Sequence, residues 1–364
     1  MNLKETNENN QIRTISLFSG AGGLDIGAIM AGAKIVWAND IMKEACATYS
    51  HNIGDHIQKG NIDELAPSLS DIPNVDLVIG GPPCQGFSVA GKMDADDDRS
   101  KLIWSYVNVL SIVQPRAFVM ENVKALGFIE RWKDVRTRLL AKMRELGYSV
   151  NMVILNASEF DVPQSRERVF VVGFRGDQTQ IPDLESMLKD YKNKAQTVRE
   201  ALSVLDRAGT GNNANLCKAK ITMAEHPVLR KSPYAGMLFN GLGRPTRIDG
   251  YSATLPASMG GNKTPIIDER ELYEGKKPWI EEYHNMVMAN PESAKFKPAP
   301  SFLRRLTVKE AAVLQTFPLD YEFSGSQSSQ YTQIGNAVPC NFGKAVVSMV
   351  IDVLNGRPIQ YMEK

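Results

Sequence analysis

The first half of this 364-residue chain alternates short apolar runs with stretches in which apolar positions recur at helical spacing. The apolar runs predict six buried strands, at residues 14–18, 34–38, 75–79, 117–120, 149–155 and 168–174. The helical spacing predicts helices at residues 24–31, 41–49, 102–113 and 132–146. Strands that alternate with helices form parallel sheets. We therefore predict an α/β fold with a doubly wound, mostly parallel sheet.

The pattern changes after Gly176. Residues 209–300 are rich in glycine, proline, asparagine and lysine and show little periodicity. Order returns with predicted helices at 306–314, where Thr307 and Glu310 form a capping-box pattern, and at 340–354. A chain of this length is expected to hold two domains. We predict one domain of residues 1–185 plus 330–364 and a second, smaller and loop-rich domain of residues 186–329.

Composition narrows the class of protein only slightly. The formal net charge is +1, so total charge does not indicate a nucleic-acid partner. Between Lys218 and Lys263, however, basic residues clearly outnumber acidic ones, and such a surface can bind phosphates or simply be a solvated loop region. The cysteines are scattered without a Cys-x-x-Cys pair, which argues against a metal site and is typical of a reducing cytosol. The polar N-terminus and the lack of long apolar runs predict a cytoplasmic protein without membrane contact.

A glycine-rich turn follows the first predicted strand, in the segment Phe18-Ser19-Gly20-Ala21-Gly22-Gly23-Leu24. Glycines there let a ligand approach the backbone, and the helix that follows offers free N–H groups. Asp40 ends the second predicted strand, where an acid commonly accepts hydrogen bonds from ribose hydroxyls. The two features together predict an adenosine-containing cofactor. A nicotinamide dinucleotide and S-adenosylmethionine both remain open at this point.

Three further groups of residues carry candidate chemistry. Cys84 lies on a rigid Pro-Pro turn after a predicted strand, and loops at the carboxyl ends of strands hold the chemistry of open α/β sheets. Glu121 ends another strand, where a carboxylate is costly to bury unless it is paired or used. Arg166 and Arg168 flank Glu167 just before the last strand. Taken alone, Cys84 could be an ordinary buried cysteine, Glu121 could be a helix cap or an ion-pair partner, and the arginines could form a surface ion pair with Glu167.

In this order, these motifs resemble the DNA (cytosine-5)-methyltransferase family in its compact prokaryotic restriction-modification form, and the resemblance reaches from Thr14 to Val347. It rests on segments that match the family's cofactor loop, nucleophile, glutamate, Gln-x-Arg-x-Arg and C-terminal motifs. These are Phe18 to Gly23, Asp40, Pro82-Pro83-Cys84-Gln85, Glu121-Asn122-Val123, Gln164 to Arg168, Arg305-Leu306-Thr307 with Gln315 to Pro318, and Gln333 to Pro339. The resemblance implies a Rossmann-like, S-adenosylmethionine-dependent methyltransferase whose smaller domain recognises the target.

The resemblance also implies a role for each matching residue. Cys84 would be the nucleophile, Glu121 would act at N3 of cytosine, and Arg168 would hold the O2 oxygen with Arg166 nearby. The implied cofactor-binding residues are Phe18, Ser19, Gly20, Ala21, Gly22, Gly23, Leu24, Asp40, Ile41, Asn61, Ile62, Pro82, Leu102, Asn336, Ala337 and Val338. The implied DNA-binding residues are Gln85, Ser88, Arg99, Arg244, Thr254 and Lys263.

One position departs from the family pattern. Gly60-Asn61-Ile62 stands where the family has Gly-Asp-Ile, whose aspartate meets the adenine amino group. The carbonyl of Asn61 can still accept a hydrogen bond, and Asp63 is an alternative acceptor.

The expected activity is sequence-specific transfer of a methyl group from S-adenosylmethionine to carbon 5 of cytosine in double-stranded DNA. It would proceed through a covalent Cys84 adduct on a flipped-out base. We expect a monomer with a cognate restriction endonuclease as its genetic partner. The alternatives are a tRNA cytosine-5 methyltransferase and a catalytically silent DNA-binding homologue. A nicotinamide-dependent dehydrogenase would not explain the Pro-Pro-Cys or Glu-Asn-Val segments.

Overall fold

The computed structural model describes residues 11–83 and 101–363. The described strands are, in chain order, β1 Ile12–Leu17, β2 Ala33–Asp40, β3 Ile57–Lys59, β4 Leu77–Gly80, β5 Ala117–Val123, β6 Tyr148–Asn156, β7 Gln164–Ser165, β8 Glu167–Arg175, β9 Met223–Val228, β10 Met237–Phe239, β11 Ser252–Ala253, β12 Ile266–Asp268 and β13 Leu303–Arg305. The described α-helices are α1 Gly23–Met30, α2 Lys43–Asn52, α3 Ile62–Leu65, α4 Lys101–Val113, α5 Lys124–Phe128, α6 Lys133–Glu145, α7 Leu184–Leu188, α8 Val198–Leu202, α9 Glu269–Glu274, α10 Trp279–Ala289, α11 Val308–Leu314, α12 Gln327–Asn336 and α13 Cys340–Leu354.

Seven strands form one sheet in the order β3-β2-β1-β4-β5-β8-β6. The first five strands are parallel, and β8 runs antiparallel to both of its neighbours. The order reverses direction between β1 and β4, which is the place where open α/β sheets bind their ligands. The predicted α/β class with a mostly parallel sheet is confirmed.

The core of the sheet explains why the predicted strands and helices form. Leu17, Val78 and Met120 from three neighbouring strands belong to one buried apolar cluster. Tyr106 on α4 and Leu139 on α6 belong to the same cluster, so both helices pack against the sheet. The regularly spaced apolar residues that predicted these strands and helices are thus the ones buried between them.

The chain divides into two compact units. The first unit comprises residues 1–161, 167–193 and 338–364, and the second comprises residues 162–166 and 194–337. The boundaries lie several residues beyond the predicted ones at 185 and 329. The short segment 162–166 joins the second unit because Gln164 in β7 pairs with Ser252 in β11.

The second unit has its own apolar core and is more regular than its sequence indicates. Ile280, Tyr283, His284 and Val287 are buried on one face of α10, at the i, i+3, i+4, i+7 spacing of an amphipathic helix. The prediction of little periodicity across residues 209–300 is therefore wrong for this helix. The capping box of Thr307 and Glu310 at the start of α11 is confirmed.

One apolar stretch, Gln327–Leu354, is long enough to cross a membrane by length and composition, but 61% of its most apolar window is buried inside the protein. It consists of α12 and α13, separated by residues 337–339. Core helices of globular proteins pass the same test.

Candidate active site

Two loops begin side by side at the point where the strand order reverses. Leu17, the last residue of β1, pairs with Gly80, the last residue of β4. A Cβ atom on Gly80 would lie 2.5 Å from the carbonyl oxygen of Leu17, so only glycine permits this approach. The glycine-rich loop that starts at Phe18 and the Pro-Pro segment that starts at Gly81 therefore leave the sheet next to each other.

The glycine-rich loop turns sharply between β1 and α1. Phe18, Gly20 and Gly22 have φ angles of 54°, 56° and 79°, all in the left-handed region. The amide of Ser19 donates to the carbonyl of Asn39, which ties the loop to β2. A Cβ atom on Gly20 would meet nothing within 4 Å, so the backbone there borders open space. A ligand can approach the loop at this position.

Asp40 connects the end of β2 to the same loop. Its carboxylate accepts hydrogen bonds from the amides of Gly20 and Met42, each at 2.8 Å. Burial raises the pKa of the Asp40 carboxyl, and these hydrogen bonds oppose the rise. The next side chain, Ile41, is 70% exposed although it is large and apolar. The loop, an acid and an exposed apolar side chain thus share one edge of the sheet.

The other predicted cofactor-binding residues of the first unit differ in how far their side chains are buried. Ala21, Leu24 and Ile62 have buried side chains, so only their backbone groups remain for a ligand. The side-chain oxygen of Asn61 accepts from the amide of Asp63 and caps α3. Pro82 is buried, Leu102 is half-buried on α4, and Val338 is buried.

Glu121 and Arg168 form an ion pair between neighbouring strands. Glu121 follows the four buried apolar residues of β5, and Arg168 lies near the start of β8, which runs antiparallel to β5. The Arg168 Nε atom lies 3.0 Å from a Glu121 carboxylate oxygen, and both side chains are largely buried, at 15% and 12% exposure. The pair holds the carboxylate and the guanidinium in fixed positions on one face of the sheet.

The segment that leads to Cys84 is held against this pair. A Cβ atom on Gly81 would lie 3.1 Å from a carboxylate oxygen of Glu121, so the backbone passes close to the acid. The buried Asn122 side chain donates to the carbonyl of Pro82 at 3.1 Å. Asn122, which was not among the predicted site residues, therefore positions the segment two residues before Cys84. The predicted nucleophile and Gln85, Ser88 and Arg99 lie outside the described residues.

Arg166 has a different environment from Arg168, although the two are separated by a single residue. It is 2% exposed and belongs to the second unit. Its guanidinium donates to the carbonyls of Leu255, Gly335 and Ala337 at 3.1–3.2 Å. This placement differs from the predicted catalytic one, because a guanidinium engaged with buried carbonyls holds three chain segments together.

Gln164 and Gln315 extend this network in the second unit. The Gln164 side chain donates to the side-chain oxygen of Gln315 at 2.8 Å and accepts from the amide of Leu255 at 3.0 Å. Gln315 in turn donates to the carbonyl of Ile334. Three motifs that are far apart in the sequence thus meet in one buried hydrogen-bond network.

The predicted DNA-binding residues of the second unit lie at its surface. Arg244, Thr254 and Lys263 are exposed, and the Thr254 hydroxyl donates to the carbonyl of Ser165 at 3.0 Å. Of the predicted C-terminal cofactor residues, Asn336 is exposed and Ala337 is half-buried, and both belong to the second unit.

Comparison with known proteins decides between the possible chemistries of this site. A family model described as C-5 cytosine-specific DNA methylase matches residues 12–352. The chain belongs to this family. The methylase is 33% identical over 344 residues to the Type II methyltransferase M.MthTI of Methanothermobacter thermautotrophicus, which covers 94% of this chain and 97% of that protein. It is 32% identical over 352 residues to the Type II methyltransferase M.NgoFVII of Neisseria gonorrhoeae, and this match covers 91% of this chain and 84% of that protein.

A solved structure shows the same fold. The S. pombe Dnmt2 methyltransferase superimposes with a TM-score of 0.67 at 20% identity, over 95% of this chain and 100% of that one. The methylase is thus a DNA (cytosine-5-)-methyltransferase, as its sequence motifs predict, and S-adenosylmethionine is its methyl donor. The glycine-rich loop fits this cofactor, because it borders open space at Gly20 and carries the carboxylate of Asp40.

Proposed function

We propose that the methylase transfers methyl groups to carbon 5 of one cytosine within a short DNA sequence, through a covalent bond from Cys84 to the target base. The arrangement of Glu121, Arg168 and Asn122 around the Gly81-Pro82 segment supports this proposal. A carboxylate and a guanidinium held together can bind a flat, polar base edge, and the nucleophile follows in the chain after Pro82 and Pro83.

Each residue of the site has a distinct task in the proposed reaction. The Cys84 thiolate adds to carbon 6 of the base, which makes carbon 5 electron-rich enough to take the methyl group. Glu121 supplies or shares a proton at N3 as negative charge develops there. Arg168 holds the O2 oxygen and keeps Glu121 in place. Removal of the carbon 5 proton by a base and departure of Cys84 then restore the aromatic ring.

The residues around the glycine-rich loop would hold the cofactor. S-adenosylmethionine supplies an electrophilic methyl group on a sulfonium. Ser19 and Gly20 present backbone groups to it, Asp40 accepts from its ribose hydroxyls, and Ile41 offers an apolar surface for its adenine. Asn61 follows Gly60, whose amide donates to the carbonyl of Asp40, and presents an amide side chain where the family pattern has a carboxylate.

The double-stranded substrate must be opened before carbon 6 can be reached. Flipping a cytosine out of the duplex costs a few kcal/mol, which contacts to the DNA have to offset. We assign these contacts to the exposed residues Arg244, Thr254 and Lys263 of the second unit, together with Gln85, Ser88 and Arg99. The second unit then acts as the target-recognition domain.

The biological setting follows from the relatives. Because M.MthTI and M.NgoFVII are both named Type II methyltransferases, we infer that this methylase protects DNA from a cognate restriction endonuclease. We expect it to work as a monomer in the cytoplasm.

The proposal is tested by expressing the methylase in a bacterial host that lacks DNA methylation and sequencing the DNA after bisulfite treatment. We expect protected cytosines within one short motif. Cys84→Ala should leave every cytosine unprotected, and Glu121→Gln should slow methyl transfer in vitro by about 10²-fold or more. Asp134→Asn, on the exposed surface of α6, is the matched control and should behave as wild type.

Two results would contradict the proposal. Methylation by soluble Cys84→Ala protein would exclude Cys84 as the nucleophile. If bisulfite converts every cytosine in the DNA of a host that expresses soluble wild-type protein, and the protein methylates tRNA in a parallel assay, the substrate is RNA rather than DNA.

A further inference from the structure

Two loops of the second unit lie side by side and contain exposed polar residues. One loop, residues 240–247, follows β10, and the other, residues 259–265, precedes β12. The backbone amide of Gly243 in the first loop donates to the carbonyl of Asn262 in the second loop at 2.9 Å. The two loops therefore form one narrow, hydrogen-bonded surface.

Glycine is required where the two loops approach each other. Gly241 has a φ angle of 89°, in the left-handed region, and a Cβ atom on it would lie 2.6 Å from the carbonyl oxygen of Asn262. A Cβ atom on Gly243 would lie 2.3 Å from the carbonyl oxygen of Thr264. The loops thus pack backbone against backbone, while the side chains of Arg244 and Asn262 beside this contact are exposed.

Arg305, the last residue of β13, supports the 259–265 loop from the interior of the unit. It is 2% exposed, and its guanidinium donates to the carbonyl of Thr264 at 2.8 Å. The Thr264 hydroxyl accepts from the amide of Gly260 at 3.0 Å, which closes the loop. A surface held in this way loses little conformational freedom when it binds a partner.

Three polar side chains on this surface are available to a partner. Arg244, Asn262 and Lys263 are exposed, and none of their side chains has a hydrogen bond or an ion pair within the described part of the chain. Arg247 in the first loop differs, because its guanidinium lies over the ring of Tyr234, 4.9 Å from the ring centre. Donors and acceptors that the fold leaves unused can recognise a ligand.

The charge of this surface fits a polyanion. The two loops contain three cations, Arg244, Arg247 and Lys263, and no acid. The first acid after the 240–247 loop, Asp249, forms an ion pair with Arg199. Positive charge without nearby unpaired acids attracts the phosphates of nucleic acids. DNA, the substrate of the methylase, is therefore the partner that the surface fits.

The three side chains also match the hydrogen-bonding groups that DNA presents. An arginine guanidinium donates two hydrogen bonds to N7 and O6 of guanine, and an asparagine amide pairs in the same way with N6 and N7 of adenine. A lysine ammonium is a flexible point charge, which suits a phosphate. These base edges are exposed in the major groove, which is wide enough for two paired chain segments.

We propose that Arg244 and Asn262 are specificity-determining residues that read base edges in the major groove. Arg244 recognises a guanine, Asn262 recognises an adenine, and Lys263 binds a phosphate without reading the sequence. The recognition sequence of the methylase then contains an A·T pair as well as a G·C pair. The inference rests on the proposed function, in which the second unit contacts DNA.

Methyl transfer to synthetic duplexes with single base-pair changes tests the two assignments, once bisulfite sequencing has given the recognition sequence. Arg244→Ala should lower kcat/KM on the cognate site by about 5- to 150-fold, the effect of one bidentate pair, and should lose discrimination at one G·C position. Asn262→Ala should do the same at one A·T position. At all other positions both variants should discriminate like wild type.

Modified bases test the same contacts in the wild-type protein and do not depend on how a variant folds. Replacing the recognised guanine by 7-deazaguanine removes the N7 acceptor and should lower kcat/KM for wild type but not for Arg244→Ala. Replacing the recognised adenine by 7-deazaadenine should do so for wild type but not for Asn262→Ala. A merely structural role of either residue would leave the response to the modified base unchanged.

The salt dependence of DNA binding tests the task of Lys263. Lys263→Ala should weaken binding to all sequences alike and should reduce the slope of log K against log salt concentration by about 1. Lys276→Ala, which removes an exposed lysine of the second unit outside the two loops, is the matched control and should behave as wild type.

Three results would overturn the inference. A recognition sequence without an A·T pair would exclude the role of Asn262. Wild-type discrimination at every position in Arg244→Ala and Asn262→Ala, or full wild-type activity on both 7-deaza duplexes, would exclude base reading by these residues. Failure of wild-type protein to methylate DNA at all would instead overturn the proposed function.

Discussion

The buried carboxyl of Asp25 predicts a measurable pH dependence of stability that is independent of catalysis. In the unfolded chain, its pKa is near the ordinary value of 3.8, and in the folded protein burial raises it to about 6. Folding therefore penalises the charged form. The penalty is absent below pH 3.8, grows as the pH rises, and is complete above pH 6. Replacing Asp25 by Asn removes a group whose charge destabilises the folded state at neutral pH.

The size of the effect follows from the same values. Each tenfold change in acidity is worth about 1.4 kcal/mol, so the full penalty is about 3 kcal/mol. Between pH 5 and 7.5, the part of the range where most proteins remain folded, the penalty grows by about 1.4 kcal/mol. The free energy of unfolding of wild type should fall by that amount relative to Asp25→Asn across this interval.

Urea unfolding at a series of pH values, followed by tryptophan fluorescence, measures this difference. Trp37, Trp104 and Trp132 lie in the same unit as Asp25, so the signal reports mainly on that unit. Acids that do not interact with Asp25 titrate equally in both proteins and cancel, whereas Asp40, whose charge raises the pKa of Asp25, is coupled to it. A difference in unfolding free energy that stays constant from pH 5 to 7.5 would refute the reasoning, because Asp25 would then have the same pKa in the folded and unfolded states.

Three other substitutions test contacts of the site and of its support. Asp40→Ala should weaken S-adenosylmethionine binding, measured by calorimetry, by about 1–3 kcal/mol, and unchanged affinity would remove Asp40 from the cofactor site. Asn122→Ala leaves the carbonyl of Pro82 without its donor and should lower the turnover number while cofactor affinity stays near wild type; equal turnover would contradict a positioning role. Gly27→Ala places a Cβ atom 2.5 Å from the carbonyl of Cys340, and thermal unfolding should show a loss of about 1–3 kcal/mol unless α1 and α13 separate freely.

Much of the sheet could be predicted because its buried strands and helices have regularly spaced apolar residues. The predicted strand at 117–120 and helix at 102–113 match β5 and α4 to within a few residues. The short strand β3 escaped prediction, since only Ile57 of its three residues is buried. Helix α10 has a clear apolar face, but it was not predicted because the segments around it are rich in glycine and proline.

The sequence identifies which side chains belong to the candidate site, but it does not identify their contacts. The motif around Gln164 does not distinguish Arg166 from Arg168. Sequence spacing cannot show that the Arg166 guanidinium donates to three backbone carbonyls while the Arg168 guanidinium pairs with a carboxylate. Asn122 entered the sequence analysis only as part of the Glu-Asn-Val motif, and Asp25 carried no signal of its own. Their contacts involve atoms that approach them only after folding, the carbonyl of Pro82 and the hydroxyl of Tyr49.

The division of the chain between Arg166 and Glu167 has a consequence for engineering. Because residues 162–166 fold with residues 194–337, a graft limited to the long variable stretch would leave behind Gln164 and Arg166. The transplanted carbonyls of Leu255 and Gly335 would then depend on the arginine of a foreign host. Chimeras meant to exchange the DNA sequence that is read should carry both segments, and their yield of folded protein should exceed that of single-segment grafts.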